Sequence, residues 1–194
     1  ESFLKAQENM FLSYTTKFKN MLIPYLGDEP KYFLAECDGE ITGILPAFLK
    51  RNKKYGNVIN SLPFFGSNGG VVYKQGMPQS KIRQTKELLI QKFNSFAIEQ
   101  DVISSTIITS PFENDIEIYN NHTQFDYLDS RIGQITHLPD ISDSLDSTVM
   151  DLIHSKTRNM IRKAAKSGVR VRYSSSTADL KILADFHKEN MNSI

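Results

Sequence analysis

The sequence predicts a mixed α/β fold. Helical and strand-like apolar periodicities alternate along the chain. A two-residue hairpin signal, Asp38-Gly39, stands between two apolar runs. Glycine and proline breaks separate the periodic stretches, as at Gly27, Pro30, Gly76, Pro78 and Pro111.

Taken in order, residues 3–22 place Phe3, Leu4, Phe11, Leu12, Phe18 and Leu22 at roughly helical spacing, and Gly27, Asp28 and Pro30 end that helix. Residues 32–37 read as a strand. Asp38 and Gly39 form the centre of a type I′ turn, where both residues need positive φ, and residues 41–49 return as the partner strand. Pro46 inside that strand has no N–H for a sheet ladder, which predicts an edge position or a bulge. Arg51, Lys53 and Lys54 make a polar turn. Residues 61–66, then Gly69, Gly70, Val71, Val72 and Tyr73, form a glycine-rich approach to a short apolar strand. Ser80 is the expected N-cap of a helix reaching about residue 99, with Ile82, Leu89, Phe93, Phe96 and Ala97 on one apolar face. Residues 104–109 are a compact strand, 116–119 a short helix, and 125–128 and 132–138 further strands. A polar turn at 140–147 leads to a helix over 147–166, which Gly168 stops where a C-terminal glycine cap belongs. Residues 169–173 alternate Val, Arg, Val, Arg as a half-exposed strand, and a last helix over 178–190 carries Leu180, Leu183 and Phe186.

Composition narrows the function classes. At 40% hydrophobic and 23% charged, the chain is ordinary globular protein. No apolar run approaches the roughly 18 residues that a membrane helix needs, and no secretory pattern opens the sequence. One cysteine, Cys37, permits no internal disulfide and reads as a packed small hydrophobe in a reducing, cytoplasmic setting. The four histidines (His122, His137, His154 and His187) show no metal spacing and read as surface or capping residues. Neither a nucleophile elbow nor a phosphate-binding P-loop appears. The chain starts at Glu1 and stops at Ile194 inside a helical pattern, so a fragment of a longer protein is expected.

Charge is unevenly spread although the net value is only +1. Acids dominate residues 113–151, whereas residues 156–172 hold only bases: Lys156, Arg158, Arg162, Lys163, Lys166, Arg170 and Arg172. On a helix, Arg158, Arg162 and Lys166 line up at i, i+4 and i+8 opposite the apolar Met150, Ile153, Met160 and Ile161. Like charges at that spacing repel. The residues leave three readings open: a site for an anionic phosphate held by arginine forks, a solvated face balanced by the acidic segment, or contact with RNA backbone, for which tRNA is the natural candidate. The glycine-rich approach likewise reads either as a wide turn feeding a strand or as backbone brought close to a ligand.

Three stretches together resemble one family. SLPFFGSNGGVV at 61–72 is similar to the S-L-P-F…G-G signature of FemAB-like transferases, the peptidoglycan bridge-forming aminoacyltransferases. SKTRNMIRKAAKSGVRV at 155–171 resembles their R-x-x-I-R-K-A-x-K-x-G-V-x-V stretch, and YFLAECDGEITGILPAFL at 32–49 their hairpin ending in G-x-L-P. Order and spacing agree across nearly the whole chain. The resemblance implies a GNAT-like (acyl-CoA N-acyltransferase) fold, a central mostly antiparallel sheet flanked by helices, here the N-terminal one of two tandem domains. It implies a first domain over 1–138, a linker with the basic helix over 139–168, and the start of a truncated second domain over 169–194. The implied activity is amide-forming acyl or aminoacyl transfer to a peptidoglycan-precursor-like acceptor of the cell envelope. Arg158, Arg162 and Lys156 would hold the acceptor's phosphates, and Ser61, Phe64, Gly69 and Gly70 would line the substrate groove. The donor, aminoacyl-tRNA or acyl-CoA, is expected to use the missing second domain, with no cofactor or metal in this chain. Residues 74–80 lack the Q/R-x-x-G-x-G/A pattern of CoA-binding GNAT domains, and Pro78 removes an amide that could cradle pyrophosphate. The sequence names no catalytic base. A non-catalytic GNAT-like binding module and an RNA-binding protein are the alternatives.

Overall fold

A computed structural model describes residues 2–7, 11–61, 68–130, 132–133 and 145–193. The chain divides into two units, Glu1–Gly133 and Gln134–Ile194.

The first unit is a mixed α/β layer structure around a mostly antiparallel sheet flanked by helices. Its long hairpin pairs β1 (Glu29–Cys37) with β2 (Glu40–Lys50), with Asp38 and Gly39 at φ 53° and 78° in the turn. The two-residue loop suits this geometry because its twist matches that of the strands. Two further strands, β3 (Asn57–Ser61) and β4 (Val72–Tyr73), both run antiparallel to β2 on its other side. β3 meets Phe48, Leu49 and Lys50, whereas β4 meets Gly43 and Ile44. They are therefore two pieces of one sheet lane, parted by residues 62–71. β5 (Val102–Ile107) pairs in parallel with β3 and completes the order β1-β2-β3-β5.

Alternation along β2 sends side chains to two cores. Leu45, Ala47 and Leu49 join Phe33, Ile59 and the buried stripe Leu89, Ile90, Phe93 and Ala97 of helix α3 (Gln79–Glu99). Ile44 and Phe48 join Leu4, Tyr14 and Leu22 on the opposite face. That second layer consists of α1 (Ser2–Lys5), a 3₁₀ turn at Leu12–Tyr14 and α2 (Thr16–Leu26). Each fully buried Leu, Ile or Phe contributes on the order of 1.5–3 kcal/mol. A short helix α4 (Ile116–His122) packs Ile118 and Tyr119 against the α3 side.

The second unit holds α5 (Leu145–Leu152), α6 (Ser155–Lys166) and α7 (Thr177–Asn192). Neither α6 nor α7 buries a residue. Gly168, at φ 81°, closes α6 with the two bonds of a Schellman motif: Val169 N–H to Ala164 O and Gly168 N–H to Ala165 O, both 3.1 Å.

Several expectations change. The opening helix is three short pieces, because Thr15 turns extended and caps α2 with its own hydroxyl. β3 is a strand that residue patterning did not pick out. Pro78, not Ser80, occupies the N-cap of α3, and Lys81 and Ile82 donate to its carbonyl. β2 is an interior strand, and the irregularity in the hairpin lies at Ala35/Glu36 rather than at Pro46. Pro46 is tolerated because, among the described residues, nothing pairs with residues 45–47 at the break in the lane. Cys37 is exposed, since the irregularity at Ala35/Glu36 shifts the alternation before it. Residues 125–128 form no strand, and 132–133 none; the rest of the predicted 132–138 strand lies outside the described residues. The helix expected over 147–166 is broken at Ile153 and His154, where the His154 ring accepts from Lys156 N–H at 3.3 Å and starts α6 anew. Residues 169–173 pair with no strand among the described residues, and Leu180, Leu183 and Phe186 are exposed.

Candidate functional site

The break in the sheet lane gathers the glycine-rich residues. Ser61 ends β3 and is almost fully buried. Its Oγ accepts the Gly70 N–H at 2.8 Å. Gly69 N–H donates to Ile108 O at 2.6 Å, and Asn68 Nδ2 donates to Thr109 O at 2.8 Å, so the segment continues along the line of β5. The Tyr14 hydroxyl, from the N-terminal layer, donates to Gly69 O. Tyr119, from the opposite layer, accepts the Val71 N–H at 3.1 Å. The N–H groups of Gly69, Gly70 and Val71 are thus all engaged within the fold.

Only glycine fits here. A Cβ on Gly69 would overlap the Ser61 hydroxyl and carbonyl, and Gly70 sits at φ +83° with Tyr119 Oη 3.1 Å from where its Cβ would be.

Beneath the segment lies a buried polar chain. Lys86, on α3, and Glu113 have side chains only 1% and 7% exposed, with Lys86 Nζ 2.7 Å from Glu113 Oε1 and 2.9 Å from the half-exposed Asp115 Oδ2. Tyr119 donates to Glu113 at 3.1 Å. Lys86 Nζ also stands 4.8 Å from the centre of the Tyr73 ring. Burial pushes the Glu113 carboxyl above its ordinary range despite the opposing charge of Lys86. Burial pulls Lys86 down, but the charge of Glu113 and the hydrogen bonds to Glu113 and Asp115 outweigh it and leave the ammonium held more firmly than usual. Burial and the Glu113 charge raise both Tyr14 and Tyr119. Of the residues gathered at the lane break, Ser61, Gly69 and Gly70 were singled out from the sequence, and the buried polar side chains were not. Lys86 sits between buried positions of α3 (Ile82 and Leu89), and a lysine on an apolar helix face was the available signal.

The turn before α3 is tied down by its neighbours. Lys74 pairs with Glu40, Gln75 N–H donates to Gln7 Oε1 at 3.0 Å, and Pro78 offers no N–H.

The predicted phosphate ligands lie in the other unit. Arg158 is partly tethered, with Nη1 3.3 Å from Met150 O and 3.5 Å from Asp151 Oδ1. Arg162 Nη1 donates to Asn159 Oδ1 at 3.2 Å, and, among the described residues, no carboxylate pairs with Lys156, Arg162, Lys163 or Lys166. The structure brings Ser61, Gly69 and Gly70 together in the first unit, and Lys156, Arg158 and Arg162 on α6 in the second. Phe64 lies outside the described residues. Among the described residues no three His, Cys, Asp or Glu side chains could hold a metal ion, and no helix is long and apolar enough to cross a membrane.

No family model matches this chain, and no curated protein matches it. Solved structures do. A probable acetyltransferase is 15% identical, with 74% of this chain and 89% of that one covered at a TM-score of 0.42. An aminoglycoside acetyltransferase from an uncultured soil metagenomic sample, in complex with sisomicin, is 10% identical over 69% and 80% of the two chains, TM-score 0.44. The ribosomal-protein-alanine N-acetyltransferase of Brucella melitensis biovar Abortus is 12% identical over 54% and 73%, TM-score 0.37.

Proposed function

We propose that this chain belongs to a GNAT-type acyltransferase that forms an amide bond, moving an aminoacyl or acyl group onto a phosphate-bearing, peptidoglycan-precursor-like acceptor in the cytoplasm. The observation that carries the reading is where the three family-like stretches fall. Residues 32–49 are the β1–β2 hairpin, 61–72 span the lane break, and 155–171 run through α6 and its Schellman cap. Each stretch coincides with one local structural device rather than being scattered over unrelated surface.

On this reading the first of two tandem domains covers 1–138, the linker and basic helix 139–168, and a second domain begins at 169. Arg162, Arg158 and Lys156 meet the acceptor's phosphates; of these three, Arg162 and Lys156 have no carboxylate partner among the described residues. Ser61, Phe64, Gly69 and Gly70 shape a wall of the acceptor groove. Because the amides of 69–71 are engaged internally, that part of the wall acts by shape. The acceptor amine attacks the acyl carbonyl of an aminoacyl-tRNA ester or an acyl-CoA thioester. The C–N bond forms, the C–O or C–S bond to the donor breaks, and the amine proton leaves to a base. Rate comes from positioning and electrostatics.

Calorimetry of the 194-residue chain with a nucleotide-sugar peptidoglycan precursor, acetyl-CoA and bulk tRNA, at two salt concentrations, tests this. The expected result is binding of the precursor, weakened in Arg158→Ala/Arg162→Ala. Unchanged affinity in that double variant removes the phosphate role. Binding of tRNA with a steep loss at higher salt would favour the RNA reading instead.

A further inference from the structure

The proposed transfer makes no use of Lys86, Glu113 and Tyr119, yet these side chains form one connected, buried network under residues 70–73. Its members come from α3, from the loop before α4, and from α4 itself. Burying an ammonium beside a carboxylate costs desolvation that an apolar pair of similar size would not. Filling space, then, does not require these residue types. The network touches the glycine segment at two points. Tyr119 Oη accepts the Val71 N–H at 3.1 Å, and Lys86 Nζ stands 4.8 Å from the Tyr73 ring centre. Between those points Glu113 joins the two, 2.7 Å from Lys86 Nζ and 3.1 Å from Tyr119 Oη. A Cβ on Gly70 would lie 3.4 Å from Glu113 Oε2, so the carboxylate also backs the glycine directly.

We infer that Lys86, Glu113 and Tyr119 are positioning residues: they clamp residues 70–73 in one conformation at the lane break and so fix the acceptor wall, without touching the acceptor themselves. This rests on the proposed reading of Gly69 and Gly70 as part of that wall. Two requirements follow from the geometry. The segment is held by side chains from outside its own strand, since β4 has only two residues paired with β2. In addition, the grip depends on the hydroxyl of Tyr119, which, among the described residues, is the group that links Val71 to the charged pair.

The test uses two variants of the 194-residue chain. Tyr119→Phe deletes the hydroxyl and keeps the ring. Lys86→Met/Glu113→Leu replaces the ion pair with apolar volume and keeps the fold if the first variant does not. Amide hydrogen exchange is followed by NMR, with β2 amides as the internal reference, and affinity for the nucleotide-sugar precursor is measured by calorimetry. The expected result is exchange of the Val71 amide about tenfold faster, with β2 unchanged, and precursor affinity reduced about tenfold. Unchanged Val71 exchange in both variants overturns the clamp. Faster exchange with unchanged precursor affinity overturns the positioning role and leaves a structural one. If the wild-type chain does not bind the precursor, the functional reading itself has failed, and exchange at Val71 then decides the clamp by itself.

Discussion

The glycine segment and the basic helix treat polar groups in opposite ways. From Gly69 to Val71 every amide has a partner, and the charges below are buried and paired. Along α6 the cations Lys156, Arg162, Lys163 and Lys166 are exposed and Arg158 is half-buried, and Arg162 donates to a neighbouring asparagine. Where polar groups are buried, removing one partner strands another, and stability responds. Where they are exposed and repel one another, stability is nearly indifferent and only a ligand can give them work. The two regions should therefore separate cleanly under mutation.

The largest effect is expected at Lys86. Lys86→Met leaves Glu113 as a buried charge without its cation, a loss of about 3–5 kcal/mol; denaturant unfolding measures it, and a loss under about 1 kcal/mol would mean that water reaches the pair. Gly69→Ala comes next, at roughly 1–3 kcal/mol, because the new methyl overlaps Ser61 and overpacking forces a backbone shift. Ser61→Ala removes the acceptor of the Gly70 N–H and should cost about 1–3 kcal/mol, with the loss confined to one buried donor.

pH sharpens the contrast. Lys86 is raised in the fold, so the stability it contributes is complete below its ordinary pKa of about 10.4 and is lost as pH rises through the folded value. Tyr14 and Tyr119 are raised by burial, hold their protons more tightly when folded, and act in the same direction from about pH 10 upward. A thermal midpoint that falls steeply above pH 10, with a shallower fall in Tyr119→Phe, is the expected outcome. The smallest effect belongs to α6: Arg162→Ala should change stability by no more than about 0.5 kcal/mol. A larger loss would show that this helix is structural after all.

What could be read from the sequence follows the same division. The hairpin, α3 and the glycine cap of α6 were legible, because turn chemistry, apolar period and a terminal glycine are local signals. The strand β3 was not: Asn57, Asn60 and Ser61 carry little strand propensity, and pairing with both β2 and β5 supplies what propensity lacks. The split of the basic helix was missed because His154 reads as an ordinary helical residue until its ring caps Lys156. Of the candidate site, Ser61, Gly69 and Gly70 could be picked out because glycine pairs and serines punctuate a strand approach. Lys86 left only the hint of a lysine on an apolar helix face, and Glu113, Tyr14 and Tyr119 left none, since they meet only after α3 and α4 close over one face of the sheet and the N-terminal layer with Tyr14 closes over the other. Residues 125–128 show the converse error, a strand-like composition that pairs with no strand among the described residues.

The lane break also sets an order of assembly. The β1–β2 hairpin closes through a two-residue turn, so it can form as soon as Lys50 is available. The parallel pairing of β3 with β5 must bring Ser61 to Ile107 and pays a much larger loop-closure entropy first. Before β3 and β4 dock on it, the far side of β2 is a bare edge on an apolar strand, the kind of template that recruits a second chain. Pro46 stands at the middle of that edge and denies it a continuous ladder. A residue that the finished sheet merely tolerates thus guards the chain against self-association while it folds.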